Sequence, residues 1–209
     1  MADQSQSARR AETLATVLLS AATVFTAWSA FQSAKWSGVQ ATSFSQASAT
    51  RTESVRASTQ AGQQSLGDVS QFTAWLDAQD QGQTAVAVRT AATFRGELET
   101  AFEAWEALSP LTNPAAPATP FDLPSYQLAS DARASQLETL ATVQFSQATD
   151  ANQRSDNYVL LTVFFSMVLF FGAVGSRIGS AKVARTMLVL GGALFLLAVV
   201  VAAMLPIKV

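Results

Sequence analysis

The chain of 209 residues contains no cysteine and no histidine. The first absence excludes disulfides, thiolate nucleophiles and sulfur metal ligands. The second removes the commonest general base, the Ser-His-Asp arrangement and the usual zinc ligands. Charge is also scarce, with 13% charged residues against 49% hydrophobic ones, where a soluble globular domain carries about 25% charge. Mean hydropathy is +0.23. There is no EF-hand spacing, no phosphate-binding glycine loop and no GxSxG. The reading that follows is non-enzymatic, with no cofactor and no metal implied.

What is present is apolar length. Val159–Val174 and Met187–Leu205 hold no ionisable residue, and counted with their flanks as 157–175 and 186–205 they reach the roughly 20 residues that a hydrocarbon core requires. Leu14–Phe31 is more polar, with Thr16, Ser20, Thr23, Thr26 and Ser29, yet it too is free of charge. These runs predict an all-α integral membrane protein. Its parts are an N-terminus at 1–11, a first transmembrane helix at 12–35, an outer domain at 36–156, a second span at 157–175, a basic loop at 176–185, a third span at 186–205 and a tail at 206–209. A signal peptide fits the first run poorly, because Trp28 and Phe31 sit badly beside a cleavage site. Arg9 and Arg10 before the first span, and Arg177, Lys182 and Arg185 between the other two, fall on one side. By the positive-inside rule that side is the cytoplasm of a bacterial inner membrane, with residues 36–156 extracytoplasmic. Lys35 and Lys208 dissent.

Residues 36–156 carry thirteen acidic and six basic side chains, which argues against nucleic acid as a partner. Polar helix is expected from Lys35 to Leu66, continuous with the first span as a rod of about 80 Å from Glu12. Gly67 and Asp68 are expected to interrupt it, with a hairpin tip before Gln83. A helix follows with its apolar seam at Ala87, Ala91, Phe94, Leu98, Ala101, Trp105 and Leu108, and Phe94, Leu98 and Trp105 are candidates for the outer-domain core. Prolines at 110, 114, 117, 120 and 124 make 109–125 an extended connection. From Tyr126 a second rod runs down into the second span, which completes an antiparallel helical stalk with a thin core.

Small residues at Thr16, Ser20, Thr23, Ala27, Ala30 and Ala34 alternate spacings of four and three, and Ser37, Ala41, Ser45 and Ser48 extend the stripe. Such a seam admits a close helix neighbour, as do Gly191 and Gly192 in the third span. The same hydroxyls of Thr16, Ser20 and Thr23 suit the lining of an oligomeric pore. Gly175 and Gly179 form a weak GxxxG pair beside Gly172. Glu99, Glu103 and Glu106 share a helical face, which reads as a solvated surface rather than a cation site. Trp36 and Tyr158 mark a membrane interface, and Arg154 with Asp156 is expected to anchor it as a charged network.

Two blocks frame the outer domain, TAWSAFQSAKWSG at 26–38 and ANQRSDNYVLLTVFF at 151–165. They resemble the paired blocks of a family of bacterial three-span hypothetical membrane proteins. The resemblance implies the three-span architecture and brings no activity or ligand residue with it. The function expected is a structural or interaction subunit in a homo-oligomer, in contact with membrane lipid and with room for another membrane subunit. The alternatives are an oligomeric channel and an extracytoplasmic sensor or ligand-binding module.

Overall fold

The computed structural model describes residues 2–110, 112–178 and 180–208, with side chains from Glu12 onward except at 181. The described residues are all-α. They form α1 (Ala2–Asp80), α2 (Thr84–Ala91), α3 (Gly96–Glu106), a single 3-10 turn (Pro120–Asp122), α4 (Ala129–Arg177) and α5 (Ala181–Met204). Three helical stretches, Glu12–Asp80, Ala129–Arg177 and Lys182–Met204, contain runs long and apolar enough to cross a membrane. Gly179 lies outside the described residues.

α1 runs for 79 residues without the expected break at Gly67 and Asp68. A helical glycine costs only about 1 kcal/mol. Here it lies between Ala61 on one side and Asp68, Phe72 and Trp75 on the other, all buried, so packing on both sides holds the helix through it. No proline precedes position 110. Exposed threonines along the helix, Thr16, Thr23, Thr42, Thr52, Thr59 and Thr73, return their hydroxyls to the carbonyl four residues back. The chain turns at Gln81–Gln83, where Gly82 has φ +68.

The buried side of α1 follows one rule over most of its length. Residues 22, 26, 29, 33, 36, 40, 43, 47, 50, 54, 57, 61, 64, 68, 71, 75 and 78 are all buried or half-buried, and the steps alternate between four and three without a break. Most are Ala, Ser, Thr or Gln. The stripe read from sequence, Thr16 through Ala34 and on to Ser48, lies one residue further along and is exposed throughout. Small side chains occupy both stripes, so composition alone cannot choose between them. The bulky residues decide, because Trp36, Phe72 and Trp75 can be covered on one face only.

The chain forms two compact units, Met1–Ser45 with Gln144–Val209, and Gln46–Val143. In the first unit α1 and α4 run antiparallel, with Phe25 stacked on Phe165 at 5.4 Å and Phe44 edge-on to Phe145 at 5.3 Å. α5 joins through Phe195, whose ring meets Phe25 at 5.5 Å and Phe165 at 5.8 Å. At Gly172 the missing side chain makes room for Leu19 of α1, since a Cβ there would stand 2.7 Å from Leu19 Cδ2. α5 starts at Ala181, so Lys182 and Arg185 belong to its first turns rather than to a loop.

In the second unit the same antiparallel pairing is fixed by the Ser54 hydroxyl, which donates to the Ala134 carbonyl at 2.8 Å, and by the Arg51–Glu138 pair at 3.5 Å. α4 begins at Ala129, three residues later than its periodicity suggested. The helix expected from Ala87 to Leu108 is two helices, parted by a turn at 92–95 that carries Phe94 into the core. Phe72, Trp75, Phe94, Leu98, Phe102 and Trp105 form that core. The proline-rich connection is laid over it. Trp105 Nε1 donates to the Pro117 carbonyl at 2.8 Å, Pro120 is buried, and Phe121 and Leu123 pack on the aromatic cluster.

Ala141 is fully buried on the side of α4 that faces α1. Ala141→Leu is expected to destabilise the protein by about 1–3 kcal/mol through overpacking, whereas Thr139→Leu on the exposed side should stay within about 0.5 kcal/mol. Thermal unfolding followed by tryptophan fluorescence in nanodiscs checks the pair.

Candidate functional site

The densest set of polar contacts in the first unit gathers around residues 206–208. Pro206 cannot continue α5, and Leu205 turns the backbone to φ −82, ψ 143. The main chain then passes three side chains. Trp36 Nε1 donates to the Pro206 carbonyl at 3.1 Å, and the Tyr158 hydroxyl donates to the same oxygen at 3.3 Å. Gln32 Nε2 donates to the Lys208 carbonyl at 3.1 Å, while Gln32 Oε1 accepts from the Lys208 N–H at 2.9 Å. Gln32, Trp36 and Tyr158 are all buried. Burying an amide without partners is costly, and this arrangement answers both ends of Gln32.

A second polar knot lies next to the first. Ser155 Oγ stands 3.0 Å from Ser33 Oγ and 2.9 Å from Ser37 Oγ, and it also reaches the Ser33 carbonyl at 3.1 Å. These bonds tie α1 to α4 where both backbones come close. Ser29, one turn before Ser33 on α1, is fully buried, and its hydroxyl makes no hydrogen bond.

The residues singled out from sequence are distributed unevenly here. Trp36 and Tyr158 come together on the Pro206 carbonyl. The Arg154 guanidinium lies over the Trp36 ring at 4.6 Å, a cation–π contact. The expected Arg154–Asp156 network does not form, because residues two apart on a helix point to different faces. Asp156 instead accepts from Asn152 Nδ2 at 3.0 Å. Thr16, Ser20, Thr23, Ala27, Ala30 and Ala34 are exposed, and the hydroxyls of Thr16 and Thr23 are committed to their own helix, donating to the Glu12 and Leu19 carbonyls. Gly191 is buried, with Phe171 Cβ 3.5 Å from where its own Cβ would be, whereas Gly192 has open space around it. Gln32 and Ser155 escaped the sequence reading. The only signal for Gln32 was an amide among apolar neighbours at the end of an uncharged run.

Among the described residues, the second unit holds one buried charge centre. Asp68 accepts from Arg95 Nε at 2.9 Å, from Arg95 Nη2 at 2.5 Å and from the Tyr126 hydroxyl at 2.8 Å. Arg95 also pairs with Glu97. A bond from its own backbone N–H, together with the Arg95 charge and the Ala129 N–H and against some desolvation, holds the Glu97 carboxyl below the ordinary glutamate value. Burial, together with the bond to the Asp68 carboxylate, pushes the Tyr126 phenol up. Glu97 therefore supplies the anion that the N-terminus of α4 attracts. An open groove of about 500 Å³ runs beside it, lined by Glu53, Arg56, Gln60, Gln64 and Arg133 among others. Phe94, Leu98 and Trp105 sit within the aromatic core. Glu99, Glu103 and Glu106 are exposed, and among the described residues no group of carboxylates is placed to hold a metal ion.

No known protein family, curated protein or solved structure matches the chain.

Removing Arg95 strands a buried carboxylate, so Arg95→Met is expected to cost about 3–5 kcal/mol and Tyr126→Phe about 1.5 kcal/mol. Denaturant unfolding of the two variants checks the order. The depressed Glu97 carboxyl contributes stability that is complete above the ordinary value of 4.5 and is lost as pH falls through the lower folded value. Glu97→Gln should therefore flatten the fall in unfolding temperature as pH drops below 4.5, while leaving the profile above that value parallel to that of the unaltered protein.

Proposed function

We propose that this chain is a non-enzymatic structural or interaction subunit of a bacterial inner membrane that assembles with copies of itself along the outward face of α1. The carrying observation is the second stripe on that helix. From Thr16 to Ser48 it is exposed, small and uncharged, and the spacing continues outward through Val55, Leu66 and Val69, which are 60%, 74% and 44% exposed. Exposed apolar side chains repeated at helical spacing favour a covering helix. Copies inserted the same way present this face in parallel, with no like charges opposed.

The orientation proposed has the N-terminus and the α4–α5 connection in the cytoplasm, residues 36–156 outside, and lipid around the three spans. The basic residues Arg177, Lys182 and Arg185 near the connection, and the acidic balance of 36–156, support it. The blocks at 26–38 and 151–165 support membership of the bacterial three-span family that they resemble. A further membrane subunit is compatible with the same surface, and nucleic acid is not.

The test is the mass of the particle in nanodiscs. A defined multimer is expected, and Ala27→Phe with Ala34→Phe is expected to reduce it to single chains whose helical content is unchanged. A monodisperse single chain in the unaltered protein would overturn the reading. Conductance in planar bilayers that changes with Ser20→Val would replace it with a pore.

A further inference from the structure

The main chain at 206–208 and the side chains that hold it differ in burial. Gln32 is 0% exposed, Tyr158 1% and Trp36 7%, whereas Ile207 is 59% exposed and Pro206 and Lys208 are exposed as well. The segment is gripped by its backbone, and its side chains face away. Gln32 exchanges a donor and an acceptor with a single residue, which is what one strand does to the next in an antiparallel ladder. Arg154 braces Trp36 through the face of its ring, so the receptor is fixed from the α4 side. None of the four hydrogen bonds reads a side chain of the segment.

α5 has separate anchors. Its Phe195 ring lies against Phe25 and Phe165, Ala198 is buried, and Leu205 packs on the cluster that contains Tyr158. All of these precede Pro206. Lifting residues 206–208 breaks hydrogen bonds and withdraws no buried side chain of their own. Regions with few buried apolar contacts open at low free energy while the core stays closed.

We propose that Gln32, Trp36 and Tyr158 form a latch for a main-chain strap, residues 206–208, and that the strap opens and closes on its own with α5 still seated. Leu205 is the hinge. When the strap is open, the Gln32 amide, the Trp36 N–H and the Tyr158 hydroxyl stand free as a receptor for extended main chain of any sequence.

The absence of cysteine permits single-site spin labels on the full chain in nanodiscs. One label replaces the exposed side chain in Ile207→Cys, and a control replaces Leu197→Cys on α5, where the native side chain is 59% exposed. Gln32→Leu removes both amide contacts from within α1. Lys208→Pro removes the N–H that Gln32 accepts and fixes φ at 208, while leaving the Gln32 side chain and every helix unaltered. The expected result is a restricted label at 207 whose mobile fraction rises about tenfold in either variant, while the label at 197 does not change. A label at 207 that stays restricted in both variants overturns the latch. Labels at 207 and 197 that loosen together overturn the independence of strap and helix.

Discussion

Close approach between two antiparallel helices with small side chains is the constraint on which both units depend. Among the described residues, α1 and α4 share no broad hydrophobic core outside the aromatic clusters. Their facing residues are largely Ala, Ser, Thr and Gln, whose burial at about 25 cal/mol per Å² brings little per position. Such a contact becomes effective through length and fit. The four-three alternation keeps one face of α1 turned inward over seventeen successive positions, as a 3.5-residue average repeat requires. Every other stabilising feature is fastened to this seam, whether the Phe25–Phe165–Phe195 triangle in one unit or the Phe72–Trp75–Trp105 cluster in the other.

Polar groups supply what the small residues do not, which is a unique alignment. In the first unit Gln32, Ser33, Trp36 and Ser37 on α1 meet Ser155 and Tyr158 on α4 and the backbone of 206–208. In the second, Asp68 on α1 collects Arg95 and Tyr126 from segments far away in sequence. Each set has a buried centre, Gln32 and Ser155 in one and Asp68 in the other, so a misaligned pairing would leave an amide or a charge without partners at a cost of several kcal/mol. Hydrogen bonding here acts on specificity more than on total stability.

The long apolar runs, the proline cluster and the aromatic seam at Phe94, Leu98 and Trp105 were legible from the chain because each depends on local spacing and bulk. The helix through Gly67 was not, since the contacts that hold it come from residues near 95 and 126. The choice between two neighbouring small-residue stripes was also out of reach. Ala27 and Thr26 differ too little for burial to be read from them, and the tie is broken by the bulky residues Trp36, Phe72 and Trp75. Gln32 stayed hidden for another reason: its partners are the backbone N–H and carbonyl of Lys208, which leave no trace in side-chain pattern. Arg154 and Asp156 misled because opposite charge near in sequence suggests pairing, while helix geometry sends them apart.

A seam made of nearly equivalent small residues has a mechanical consequence. Sliding α1 along α4 by one heptad, about 10 Å, would restore most of the interdigitation, so the energy along the axis resembles a shallow ratchet with repeated wells. The few residues that occur once, Trp36 with Tyr158 in one unit and Asp68 with Arg95 in the other, act as stops that select a single well in each unit. Replacing the stops by alanine would leave helices that are still paired but free to choose among offsets, so the loss would be one of position before it was one of fold.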